Sequence, residues 1–128
     1  MNYLLDTHIL IWYAEGDEKL PERIKSLILD PNNSVFISYV SIWEMAIKIS
    51  LGKLVAQFSL TEWETLLQGE GFLNLPMSFK HFEQLLTLPF HHNDPFDRLL
   101  IAQAIAEDLT IISHDSRFSS YPVFLEAF

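Results

Sequence analysis

The chain has 128 residues, 49% of them hydrophobic and 20% charged, with no cysteine and a formal net charge of −9. That length suits one domain, 1–128, built on one core, and the apolar and aromatic content argues against disorder. The lack of cysteine excludes disulfides and thiolate zinc sites, and the acidic balance is unusual for a nucleic-acid binder, since phosphate contacts rest on Lys and Arg.

The opening MNYLLDTHILIW is apolar but has no basic leader, and it carries Asp6 where a signal peptide would not place a carboxylate. No stretch approaches the roughly 20 apolar residues of a membrane span, so a soluble, cytoplasmic protein is expected. Asn2 to Leu5 reads as a short buried strand ending at Asp6, and Thr7 to Glu15 as a helix closed by Gly16. Pro21 opens a second helix through Leu29, Pro31-Asn32-Asn33 is a turn, and Val35 to Ile37 is a second strand. Ser41 starts a helix that runs to about Ser50 and stops at Gly52. Thr61 to Gln68 is a further helix, with Thr61 and Glu64 at capping-box spacing.

Phe72 to Leu75 follows as a strand, and Ser78 to Leu86 as a helix before Pro89. After a loop from Phe90 to Asn93, Asp94 caps a helix whose first residue is Pro95 and which reaches Glu107. Its residues Leu99, Leu100, Ile101, Ala102, Ala104 and Ile105 are apolar nearly all round, as in a buried helix, which holds a carboxylate at its start firmly. Thr110 to Ser113 and Val123 to Leu125 are the last strands. Short apolar runs alternating with helices, in the order β-α-α-β-α-α-β-α-α-β-β, predict an α/β fold with helices on the faces of a sheet.

Ligands of open α/β sheets bind beyond the carboxyl ends of the strands, at a topological switch point. Asp6 follows the first strand, Asp115 lies two residues past Ser113, and Glu44 and Asp97 fall in the first turns of their helices. All four can face one edge of the sheet. Gathered carboxylates repel, and their ionised forms persist only beside cations. Oxygen ligands suit Mg²⁺ or Mn²⁺, ions that activate water in phosphodiester cleavage. Each acid also has an ordinary structural role available: Asp6 and Asp94 as helix caps, Glu44 as the partner of Ser41 in a capping box or of Lys48 at i+4, Asp97 as a favourable charge at a helix start, and Asp115 as a turn residue.

The same residues resemble PIN domains. Tyr3-Leu4-Leu5-Asp6-Thr7-His8 resembles the strand that opens them, and Ser41-Ile42-Trp43-Glu44 resembles their second motif. The segment from His92 through Asp94-Pro95-Phe96-Asp97-Arg98 to Ala104 resembles the third and most specific motif of one bacterial branch, and Thr110 to Asp115 resembles the fourth. The likeness runs in order along nearly the whole chain. It implies a three-layer sandwich around a mostly parallel sheet of about five strands, with helices on both faces. A chain of this size is similar to the VapC-type toxins of type II toxin–antitoxin pairs. That implies a Mg²⁺- or Mn²⁺-dependent endoribonuclease, a cognate antitoxin and a homodimer. Asp6, Glu44, Asp97 and Asp115 fall on the family's acidic positions, with Asp94, Thr7 and Ser113 as auxiliary residues. Ser113-His114 departs from the Thr-Ala or Thr-Asn of many relatives and bears on substrate preference.

Arg98, Lys48, Arg117 and His8 are the candidates for holding RNA, and Trp12, Tyr13 and Trp43 for stacking on bases. His91 and His92 lie beside Asp94, but no spacing matches a tight zinc motif. Among rival readings, His114-Asp115 resembles the pair of all-helical HD-type phosphohydrolases. HAD-type phosphatases want an Asp where His8 stands, and phospho-receiver domains want a late Lys, whereas none follows Lys80. A catalytically inert PIN-like interaction module is the non-enzymatic alternative.

Overall fold

A computed structural model describes residues 1–55 and 57–128. Five strands, β1 (Asn2–Leu5), β2 (Ser34–Ser38), β3 (Leu73–Leu75), β4 (Thr110–Ser113) and β5 (Leu125–Ala127), form one sheet in the order β3-β2-β1-β4-β5. Every pairing is parallel, so the sheet is wholly rather than mostly parallel. Six α-helices connect the strands among the described residues: α1 (Thr7–Glu15), α2 (Glu22–Leu29), α3 (Tyr39–Ser50), α4 (Leu60–Gly69), α5 (Phe79–Leu86) and α6 (Pro95–Glu107). A sheet of this kind is incompatible with the all-helical HD fold.

Side chains alternate across the pleat. Tyr3, Leu5, Val35, Ile37 and Ile112 join one core with Ile9 and Leu10 of α1, Ile24 and Ile28 of α2, and Trp63 and Leu67 of α4. Leu4 and Ile111 face the other way, against Leu100, Ile101 and Ala104 of α6. Two cores flank one sheet, which is the three-layer arrangement. Residues Asp97 to Ala104 of α6 are all buried, and each fully enclosed Leu or Ile there contributes about 1.5–3 kcal/mol. The helix that carries Asp97 is therefore an anchored platform.

Several boundaries differ from the sequence reading. The helix expected to begin at Ser41 begins at Tyr39, capped by Ser38 Oγ, which accepts from Val40 N. Glu44 thus lies beyond the first turn and makes no capping box with Ser41. The capping box of α4 is Ser59 with Glu62, not Thr61 with Glu64. Pro21 and Ser78 sit just outside their helices, and β3 begins at Leu73. The strand expected at Val123 to Leu125 is β5, two residues later, because a 3₁₀ helix at Ser116–Ser120, unmarked in the sequence pattern, occupies the crossover.

Candidate metal centre

The strand order runs outward from β1 through β2 to β3 on one side and through β4 to β5 on the other, so β1 and β4 flank the switch point. Their register pairs Leu5 with Ile112, which sets Asp6 level with Ser113 at the carboxyl edge. Asp6 N donates to Ile112 O at 3.0 Å. Asp6 occupies the N-cap position of α1, yet its carboxylate makes no capping hydrogen bond. Its Oδ2 instead accepts from Ser113 Oγ at 2.9 Å, and Ser113 Oγ accepts in turn from Asp115 N at 3.0 Å. One serine therefore ties the first acid to the backbone of the last.

Thr7 starts α1, and its Oγ1 lies 2.8 Å from Glu44 Oε1 and 2.9 Å from Ser41 Oγ. A hydroxyl has one proton, and the carboxylate is the stronger acceptor. Glu44 Oε2 pairs with Lys48 Nζ at 2.9 Å across one turn of α3. Thr7, Ser41 and Glu44 are all buried, so this cross-link joins the starts of α1 and α3.

On α6, Asp94 Oδ1 accepts from Phe96 N at 2.9 Å and from Asp97 N at 3.0 Å, a full helix cap ahead of Pro95. Asp97 is only 7% exposed. Its Oδ2 meets Arg117 Nη2 at 3.3 Å and His92 Nε2 at 3.4 Å. Arg117 forks onto Asp115, with Nη2 at 2.7 Å from Oδ2 and Nε at 3.1 Å from both oxygens. Its guanidinium thus bridges the third acid to the fourth.

Burial and mutual repulsion show in the ionisation of these groups. Burial lifts the Asp97 carboxyl to about 8, reinforced by Asp6, Asp94 and Glu44 and opposed by Arg117. Burial also lifts Asp6 to about 6, with Glu44 adding to the rise while the Ser113 hydrogen bond and His8 oppose it. Asp115 goes the other way, held below the usual carboxylate range by its hydrogen bond from Arg117. Asp6, Glu44 and Asp97 therefore form a buried, mutually repelling group, and Asp115 joins it at a more open rim through Ser113 and Arg117.

Of the residues expected to hold RNA, Arg117 and His8 are exposed or partly so at this edge, and Lys48 is engaged with Glu44. Arg98 points inward instead. It is buried, its Nη1 donates to Pro89 O at 2.7 Å and lies 3.3 Å from Tyr121 Oη, its Nη2 lies 3.5 Å from Leu88 O, and the Phe90 ring stacks on it. An Arg inside an otherwise apolar helix was the available signal for this structural role. Sequence reasoning passed over Tyr121 and gave Ser41 only a capping role, since their partners here are remote in the chain. Trp12 packs with His8, His114 and Phe128 at the rim, whereas Tyr13 donates to Glu70 and Trp43 packs edge-on against Phe96.

Among the described residues, no three His, Asp or Glu side chains are already drawn together as a ligand set for a metal. Uncompensated carboxylates stay apart, and here Asp115 turns to Arg117 and Glu44 to Lys48. The residues nevertheless fit a hard divalent cation: the donors are all oxygen, three are buried with excess negative charge, and a guanidinium cation, that of Arg117, already bridges two of the carboxylates. A separate apolar groove of about 500 Å³ between α3 and α4, lined by Tyr39, Ile42, Trp43, Leu60 and Trp63 among others, contains none of the four acids. No helix among the described residues is long and apolar enough to cross a membrane.

The profile of the PIN domain matches residues 3–123. No curated protein matches significantly. Among solved structures, VapBC2 from Rickettsia felis, bound to a DNA fragment from its promoter, has a chain that superposes with a TM-score of 0.74 at 21% identity, covering 99% of this chain and 98% of that one. DNA-bound VapBC from Salmonella typhimurium gives 0.68 at 18% identity, with 99% and 98% covered. VapBC-5 from Mycobacterium tuberculosis, a member of the VapBC family of toxin–antitoxin systems, gives 0.62 at 19% identity, with 99% and 97% covered.

Proposed function

Because the chain belongs to the PIN-domain family, we propose that it is a Mg²⁺- or Mn²⁺-dependent endoribonuclease acting as the toxin of a type II toxin–antitoxin pair. The observation that carries this reading is the buried acidic group at the sheet's switch point, where Glu44 adds to the cost of charge on Asp6, and Asp6 and Glu44 add to it on Asp97. Asp6, Asp97 and Asp115 would hold a cation, and Glu44 would help orient a second ion or the attacking water. A bound divalent cation supplies a polarised water and stabilises charge on the leaving oxygen.

The chain's own residues supply the rest. Ser113 fixes Asp6 Oδ2. Thr7 fixes Glu44 Oε1 on the far side. The anchored α6 keeps Asp97 from retreating to solvent, so the position of its carboxyl is preorganised rather than assembled at each turnover. Arg117 and His8 are the cationic or titratable groups at the rim that can meet phosphates. No side-chain nucleophile is needed: water adds to phosphorus as the 3′ oxygen leaves, giving 3′-hydroxyl and 5′-phosphate ends.

The same reading includes a cognate antitoxin and a homodimer in the cytoplasm. Support for a protein partner comes from the net charge of −9, which suits a basic segment, and from the α3–α4 groove, whose Trp43 is half exposed. The second reading, an inert PIN-like interaction module, is favoured by one observation, the Arg117 guanidinium set between Asp97 and Asp115. Incubating the purified chain with a broad RNA panel and Mn²⁺, then analysing product ends, separates the two. The nuclease reading expects 5′-phosphate fragments. Intact RNA throughout, together with no Mn²⁺ binding, would leave the inert module.

A further inference from the structure

The loop between α5 and α6 brings His92 against Asp97, and the third helix motif gives this histidine no role of its own. His92 is nearly enclosed, with a side-chain exposure of 9%. Its Nδ1 lies 2.7 Å from Tyr121 Oη and its Nε2 3.4 Å from Asp97 Oδ2. The phenol settles which nitrogen carries the proton. Tyr121 Oη already receives His92 N at 3.2 Å and Arg98 Nη1 at 3.3 Å, which uses both of its lone pairs. Its single proton then goes to the nearest acceptor, His92 Nδ1, because the His92 carbonyl is at 3.4 Å. A neutral ring with Nδ1 accepting must carry its hydrogen on Nε2, facing the carboxylate. A protonated ring would present Nε2–H there as well.

We propose that His92 is a positioning residue of the acidic centre, aimed by Tyr121 and Arg98 so that its Nε2–H holds Asp97 Oδ2 in place. His92 and Arg117 both converge on Oδ2, and among the described residues no hydrogen bond reaches Oδ1. One oxygen of Asp97 is thereby tethered and the other left for a cation, as outer hydrogen bonds do for metal-bound carboxylates. The chain of contacts also explains the inward Arg98: it steadies Tyr121 and, through the Leu88 and Pro89 carbonyls, the loop that bears His92. This inference rests on the metal-centre reading above.

The test uses Mn²⁺ itself as the probe, titrated calorimetrically into the full chain, and long-range ¹H–¹⁵N NMR of the histidine rings without metal. His92→Ala is expected to weaken Mn²⁺ binding about 10–100-fold, while His92→Gln, whose amide can replace the Nε2 donor, stays within about threefold of the parent. NMR is expected to find His92 protonated at Nε2 in the parent chain and in a tautomeric mixture in Tyr121→Phe. If Asp97→Asn abolishes Mn²⁺ binding but His92→Ala leaves it unchanged, the positioning role falls and the metal centre stands. If Asp97→Asn itself leaves Mn²⁺ binding unchanged, both fall. Should His92→Ala fail to fold, the ring spectrum of the parent decides, and an Nε2 without a proton overturns the proposal.

Discussion

Replacing Asp97 by Asn should stabilise the metal-free protein while abolishing its proposed chemistry. Burial and three neighbouring acids raise the Asp97 carboxyl from 3.8 to about 8. The folded chain therefore holds a proton that the unfolded chain releases, and stability falls as pH rises between those two values. Each pH unit in that window costs about 1.4 kcal/mol, so the penalty approaches roughly 4 kcal/mol at pH 7. Asn carries no such penalty, and its neutral amide stands in for a carboxyl that is itself mostly protonated in the folded chain at pH 7. The gain is about 4 kcal/mol at pH 7, or roughly 15 °C in melting temperature for a domain of this size. Asp6 acts with the same sign over the narrower window from 3.8 to about 6. Thermal unfolding followed by circular dichroism in EDTA checks this: Asp97→Asn should melt above the parent chain at pH 7, and the difference should shrink toward zero near pH 4. If Asp97→Asn melts below the parent at pH 7, the carboxylate is a structural ion-pair partner of Arg117 and the reasoning fails.

Mn²⁺ at about 100 times its dissociation constant should stabilise the parent chain by about 2.7 kcal/mol, and the same addition should leave the melting of Asp97→Asn unmoved. Thr7→Val strips the buried Glu44 carboxylate of its hydroxyl donor; denaturant titration should read a loss of about 1–3 kcal/mol. Arg98→Lys should cost about 2 kcal/mol of stability, since the Leu88 and Pro89 carbonyls lose the planar fork of a buried guanidinium. The salt dependence of RNA binding should not change with it, whereas Arg117→Gln should lower that slope by about one, and filter binding across a salt series distinguishes them.

Much of this architecture was legible because its signals are local. The apolar run before Asp6, the Asp94-Pro95 helix start and the all-round apolar face of α6 each announce themselves within a few residues, and the structure places them as expected. The positions of Asp6 just past β1 and of Asp97 in the first turn of α6 followed from the same local signals. Boundaries set by tertiary context were not legible. Ser38 rather than Ser41 caps α3 because β2 runs directly into the helix, and nothing in the two serines distinguishes them. The 3₁₀ helix at Ser116–Ser120 depends on Asp115 and Phe118 being held against the sheet end. Arg98 illustrates the same limit: as an isolated cation it looks like a phosphate ligand, and only the loop carbonyls of Leu88 and Pro89 reveal its structural use. His92 and Tyr121 meet across 29 positions, a distance no motif spacing encodes.

The most direct test is cleavage of RNA by the purified chain with Mn²⁺, beside an EDTA control and a folded Asp97→Asn variant. Metal-dependent cutting that EDTA stops and Asp97→Asn abolishes is the predicted result, and it would locate the chemistry at the switch point of the sheet. Cutting that persists in EDTA, or that survives Asp97→Asn undiminished, would contradict the assignment of this acidic group as the catalytic centre.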